Sequence, residues 1–195
     1  MISVIIPLMP IEPYKTQLVT CIDSLKAQNT DVDINVMEQP IEDYIHYNTL
    51  MNAGIRQAKG DYLYFCGADF ILEDTTVLSR MQEKLDNSNI DVIFTMFKSE
   101  VSKQLKIADG GVFTTKAIME NYGDLDESLI GISWVTFPFL AWCLGNINWY
   151  CNDRFVVTVD QRYFNRKKRH WKTSGKLRKL YKDTVNDLQK AGVWP

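Results

Sequence analysis

Tyr62-Leu63-Tyr64-Phe65-Cys66-Gly67-Ala68-Asp69-Phe70-Ile71-Leu72 is the stretch on which the reading of this chain turns. Five apolar residues in a row, between Gly60-Asp61 and Gly67, are too few for a helix and describe a strand buried on both faces. Asp69 follows almost at once. A carboxylate there is held by rigid backbone while its head reaches the space where loops diverge. That suits a hard divalent cation which also takes oxygens from a phosphate. The competing reading is a turn residue that caps the next segment, because turns favour Asp.

Outward from this stretch, buried strands alternate with helices. Residues 3–8 read as a strand stopped by Pro7 and Pro10, and residues 33–37 as a second. Leu18, Cys21, Ile22 and Leu25 recur at helical spacing over 14–27. Tyr47, Leu50, Met51, Gly54, Ile55 and Ala58 make one apolar stripe over 44–58. After Asp69, Asp74 is the expected N-cap of a helix that turns Val77, Leu78, Met81 and Leu85 inward, and residues 91–96 form a fourth strand. Beyond lie a Gly110-Gly111 turn, an irregular stretch over 122–133, a strand over 155–159, and a last helix with Leu177, Leu180, Tyr181, Thr184 and Leu188 on its apolar face. This order predicts an α/β fold, a mainly parallel sheet with helices on both faces. Ligands of such sheets collect at the carboxyl ends of the strands. Here those ends are Pro7 to Met9, Glu38-Gln39 and Gly67 to Asp69.

Composition narrows the class. At 195 residues, 46% hydrophobic and 24% charged, the chain is neither disordered nor fibrous. No apolar run approaches the roughly 18 to 20 residues of a membrane span, and the first residues lack the basic flank of a signal peptide. Cys21, Cys66, Cys143 and Cys151 show no CxxC pair and no zinc-like spacing, so reduced thiols in a cytoplasmic protein are expected. The net charge of −2 hides an asymmetry: residues 1–161 carry 11 Lys/Arg against 22 Asp/Glu, and residues 162–195 carry 11 Lys/Arg against 2 Asp. A cationic end on an acidic body meets an anion, whether a phosphate, a membrane surface or the body itself. Nucleic acid is not expected, because no stacking platform or motif accompanies the charge. The domain reading is one unit over 1–161, with a basic loop and helix over 162–195 packed on it.

Glu38-Gln39, then Tyr47-Asn48-Thr49-Leu50-Met51-Asn52-Ala53-Gly54-Ile55, then Ala58-Lys59-Gly60-Asp61-Tyr62, lead into the central strand. This order resembles the donor half of GT-A glycosyltransferases of family 2 and of the β-1,4-galactosyltransferase type. Gly110-Gly111-Val112 is similar to the segment before their acceptor region, and Tyr122-Gly123-Asp124-Leu125-Asp126-Glu127 to their G-F-D-E stretch. The likeness covers about residues 1–145 and implies a Rossmann-like GT-A sandwich, with a donor-binding half over 1–100 and an acceptor half over 101–161. Two departures stand out. Gly67 replaces the first Asp of the D-x-D motif, which leaves Asp69, and Val135-Thr136 occupy the place of the family's E-D pair, whose acid is the base of inverting members.

The resemblance implies a nucleotide-sugar donor, UDP-linked for preference, a divalent cation (Mn²⁺ or Mg²⁺), and a glycan or lipid-linked acceptor. Pro7, Leu8 and Met9 would line base and ribose, Glu38 would accept from the base, and Tyr47, Asn52 and Ala68 would shape the nucleotide wall. Asp69 would hold the metal with His170 or Asp160; a surface histidine in a basic loop is the other reading of His170. Gly111 and Trp134 are expected at the acceptor, and Asp126, Glu127 and Asp109 are the candidate bases. The basic segment 162–172 would fold over the diphosphate, and the helix beyond it offers a peripheral membrane contact. A degenerate module that binds a nucleotide sugar or glycan without turnover is the alternative. A nucleotidyltransferase is disfavoured, because Leu8 to Pro13 holds neither Gly nor Arg.

Overall fold

The computed structural model describes residues 1–8, 10, 12–38, 47–98, 105–127, 143, 146–159, 186 and 190, with backbone alone for 47, 97–98, 105–110, 149 and 151–159. Seven strands form one sheet: β1 (Ile2–Leu8), β2 (Val32–Glu38), β3 (Tyr62–Phe65), β4 (Phe70–Leu72), β5 (Val92–Lys98), β6 (Leu105–Thr115) and β7 (Trp149–Val159), in the order β2-β1-β3-β6-β5-β7-β4. β1 pairs parallel with β2 and β3, and β5 with β7; β6 runs against β3 and β5, and β4 against β7. Five strands thus share one direction, as the alternating pattern predicts.

Helices α1 (Tyr14–Lys26), α2 (Tyr47–Gln57), α3 (Val77–Asp86) and α4 (Lys116–Tyr122) cover both faces. The alternation of each strand explains the division. Ile2, Val4, Ile6 and Leu8 of β1 pack with Tyr64 of β3, Ile93 of β5 and Phe113 of β6 under α1 and α3, through Cys21, Leu25, Val77, Leu78, Met81 and Leu85. Ile5, Leu63, Phe65, Val92, Phe94 and Val112 point the other way and meet Met51 and Ala58 from α2 and its end, and Met119 of α4. Each fully buried side chain of this size contributes about 1.5–3 kcal/mol, so both layers are needed to hold the sheet.

Two local expectations change. Asp74 does not cap α3: the cap position is Thr76, and Asp74 Oδ1 instead accepts from Thr76 N at 2.7 Å and Thr76 Oγ1 at 2.6 Å. Those donors, more than Arg80, hold the Asp74 carboxyl below its usual range. A free N–H of α3 is met from α1's end, where Gln28 Oε1 accepts from Leu78 N at 3.1 Å while its Nε2 donates to Asp74 O at 2.8 Å. Gly110-Gly111 is not a turn but lies within β6, where the pairing shifts between Phe94 and Met96 of β5. α4 begins properly capped, with Thr115 Oγ1 accepting from Ile118 N at 3.3 Å, and ends at Gly123, whose φ of 91° suits glycine. The final helix is described only at Asn186 and Lys190, both helical.

Candidate active site

Parallel pairing brings the strand ends together. Leu8 lies opposite Glu38 on β2, and β3 runs beside β1 with Phe65 opposite Ile5. Cys66 N then donates to Ile5 O at 3.0 Å, and the chain turns through Gly67-Ala68-Asp69, closed by Phe70 N donating to Gly67 O at 3.1 Å. Two thiols fasten the same carbonyl from below: Cys66 Sγ donates to Gly67 O at 3.4 Å and Cys21 Sγ, from α1, at 3.6 Å. Burial foremost, and next the Cys21 thiol, push the Cys66 thiol well above its usual range, so it stays a neutral donor. Ala68 is buried and Asp69 half-buried, with its carboxylate folded over Gly67. A Cβ built on Gly67 would lie 2.7 Å from Asp69 Oδ1 and 2.9 Å from a ring carbon of Phe70. The space above Gly67 is therefore filled by the carboxylate two residues later.

A second set of contacts ties α2 to the turn after α4. Asn48 Nδ2 donates to Asp126 O at 2.8 Å. Asn52 Nδ2 donates to Leu125 O at 3.0 Å and to Glu127 Oε1 at 2.8 Å, while its Oδ1 accepts from Leu125 N at 2.9 Å. Thr49 Oγ1 donates to Glu127 Oε2 at 2.9 Å, and Arg56 meets Asp124 at 3.6 Å on the surface.

The structure thus brings some expected residues together and gives others a different task. Glu38 is exposed at the carboxyl end of β2, one strand from Leu8. Pro7 and Leu8 are buried, and Leu8 packs in the α1/α3 layer. Asn52 is 1% exposed with its amide engaged by the 125–127 turn, so it reaches any ligand through that turn. Gly111 is buried in β6; Asp109 lies in the same strand and Tyr47 opens α2, both described by backbone alone. Met9, Trp134, His170 and Asp160 fall outside the described residues. Sequence reasoning missed Asn48, Thr49 and the Cys21 thiol. The signal for the first was two asparagines at i and i+4 along an apolar helical stripe.

Residues 46–117 match the family model of glycosyl transferase family 2. The mannosyltransferase PcManGT from Pyrobaculum calidifontis, solved in complex with GDP-Man and Mn²⁺, superposes with a TM-score of 0.67 at 10% identity, over 97% of this chain and 63% of that one. S. aureus TarS 1-349 gives 0.66 at 13% identity, over 96% and 65%. A Drosophila β-1,4-galactosyltransferase 7 mutant, complexed with manganese, UDP-Gal and xylobiose, gives 0.69 at 12% identity, over 92% and 79%. The fold is the GT-A glycosyltransferase fold. No curated protein sequence matches the chain. This GT-A chain spans less than two thirds of the length of the first two structures.

Within the GT-A frame, the Gly67–Asp69 turn is the place to test for a cation. Among the described residues no three His, Cys, Asp or Glu side chains gather closely enough to form a metal cage. A hard ion needs none when a diphosphate supplies oxygens, since one or two carboxylates then suffice. Asp69 meets that requirement as an oxygen donor on a turn held by four hydrogen bonds. The Cys66 thiol beneath it is a protonated donor to a carbonyl, and soft sulfur does not compete with a carboxylate for a hard ion. The residues present fit a Mn²⁺ or Mg²⁺ ion shared with a phosphate.

Proposed function

We propose that this chain is a metal-assisted glycosyltransferase that moves a sugar from a nucleoside diphosphate, for preference UDP, to a hydroxyl of a glycan or lipid-linked acceptor with inversion. The observation that carries this reading is the Asp69 carboxylate on its pinned turn at the carboxyl edge of a GT-A sheet, inside the segment that matches glycosyl transferase family 2. A bound divalent cation would act as Lewis acid toward the departing diphosphate. Asp69 would bind it. Val159, the residue before Asp160 in sequence, pairs with Phe70, the residue after Asp69, and this register supports Asp160 as second ligand, with His170 as third candidate. Glu38, exposed beside the end of β1, suits a carboxylate that accepts from an imide N–H of the base. The solved relatives complexed with GDP-Man or UDP-Gal and manganese support the ligand class.

The experiment is a panel of nucleotide sugars with Mn²⁺, scored for nucleotide release and for nucleotide binding by calorimetry. Release from at least one donor, abolished by chelation, is expected. Tight metal-dependent nucleotide binding with no release from any donor would instead favour a binding module, the reading supported by Val135-Thr136 at the usual place of an acid. A chain that binds no nucleotide would contradict both.

Gly67 makes the site sensitive to one methyl group. In Gly67→Ala the new Cβ competes with Asp69 Oδ1 and with the ring of Phe70, and Phe70 is 4% exposed and cannot retreat. The carboxylate, at the end of a rotatable side chain, shifts more readily than the buried ring. Affinity for Mn²⁺ with UDP should fall by about 10-fold or more, the scale seen when a ligand's support is lost. Thermal denaturation should change little. Unchanged affinity would show that the carboxylate's place over Gly67 does not matter.

A further inference from the structure

The clasp between α2 and the turn after α4 fixes an exposed carboxylate at both of its oxygens. Glu127 is exposed, yet each of its oxygens receives a donor, Thr49 Oγ1 on one and Asn52 Nδ2 on the other. A long exposed side chain gives up rotamer freedom to be held in this way. The donors are well supported: Asn52 is itself fixed by two bonds to the Leu125 backbone, and Asn48 anchors Asp126. Topology puts this carboxylate at the functional edge. α2 follows β2, so its first turns, with Asn48, Thr49 and Asn52, begin at the carboxyl ends of the strands. β6 runs back against β3, and α4 returns the chain toward that same edge before the 124–127 turn. Asp69 and Glu127 thus reach one edge of the sheet from different elements, while residues 135–136 supply no acid.

We infer that Glu127 is the catalytic base of the transfer and that Asn52 and Thr49 are positioning residues that aim its carboxylate. The inference rests on the transferase reading above. In the step, the acceptor O–H proton passes to a carboxylate oxygen of Glu127, and the freed electron pair of the acceptor oxygen bonds to the anomeric carbon. The bond from that carbon to the diphosphate oxygen breaks, and its electron pair leaves with the nucleoside diphosphate. No oxidant or further reactant is needed.

The test uses the full chain, Mn²⁺, and whichever of UDP-glucose, UDP-galactose, UDP-N-acetylglucosamine and GDP-mannose supports nucleotide release. Glu127→Gln keeps the size of the side chain and an acceptor oxygen for Asn52. Its turnover should fall by about 10²–10⁴-fold, the range for loss of a general base, while calorimetric affinity for Mn²⁺ with UDP or GDP holds within about twofold. Azide, an external nucleophile that needs no base, should restore turnover to Glu127→Ala, with a glycosyl azide as product. Thr49→Val, a milder change than any at the buried Asn52, should lower turnover about tenfold alone and have no added effect in the Glu127→Gln background, because it acts only through that carboxylate. Wild-type turnover in Glu127→Gln overturns the inference, as does weakened nucleotide binding in it, or an equal Thr49→Val loss in both backgrounds. Failure of the native chain to bind UDP or GDP with Mn²⁺ overturns the transferase reading itself, a result separable from the others.

Discussion

Asp69→Ala is expected to lose metal-dependent nucleotide release by about 10²-fold or more while remaining folded. The size of the effect follows from what the carboxylate would do. A bound divalent ion supplies several kcal/mol of stabilisation to the charge that develops on a leaving diphosphate, and each 1.4 kcal/mol is a factor of ten in rate. The small structural effect follows from where Asp69 sits. It is half-buried on a turn whose closure uses the backbone of Gly67 and Phe70 and the thiols of Cys21 and Cys66, none of which the substitution removes. Nucleotide release with Mn²⁺, calorimetry of Mn²⁺ with UDP, and a melting curve together check it. Equal release by the variant would remove Asp69 from the mechanism.

The largest effect on stability is expected at Gly54. A helix interior ordinarily gains about 1 kcal/mol when Gly becomes Ala. Here a Cβ would meet Ile5 Cγ2 at 2.4 Å, with Ile5 Cγ1 at 3.3 Å. Ile5 is fully buried on β1, which is flanked by β2 and β3, so it cannot withdraw. Overpacking of this kind costs about 1–3 kcal/mol and wins over the propensity gain. α2 would have to lift from the sheet and strain the Asn48 and Asn52 contacts to the 125–127 turn. Gly54→Ala should therefore lower the melting temperature by several degrees, at roughly 2–4 °C per kcal/mol for a chain of this size. Turnover should fall with it, since α2 carries Thr49 and Asn52. A higher melting temperature would show that the helix already stands off β1.

Much of this architecture is written in short-range pattern. The alternation of Ile2, Val4, Ile6 and Leu8 with Ile5 sorts β1 into its two layers without knowledge of its neighbours, and Val77, Leu78, Met81 and Leu85 mark the buried face of α3. Pattern fails where a distant segment supplies the partner. Gly110-Gly111 has the composition of a turn, yet it lies inside β6 at a shift in register, between Val112, which pairs with Phe65 of β3 and Phe94 of β5, and Ile107, which pairs with Met96. Asp74 has the look of an N-cap, but Gln28, 50 residues from Leu78, takes the helix N–H and leaves Asp74 to its own turn. Asn48 and Asn52 flank the apolar stripe of α2, and the resemblance implies Asn52 at the nucleotide wall; each is 1% exposed and donates to the backbone of the 125–127 turn.

For the candidate site the division is similar. A carboxylate close behind a short apolar strand can be found from eleven consecutive residues, because strand, turn and acid are neighbours along the backbone. That Gly67 is the seat of the Asp69 carboxylate rather than a mere loss from a motif, and that Glu127 is aimed by Thr49 and Asn52, belong to the folded chain alone. Asn52 and Leu125 are 73 positions apart. Hydrophobic periodicity reports only which way a side chain faces. Which hydrogen-bonding groups meet across the two layers depends on how the strands are ordered, and that order is a property of the packed whole.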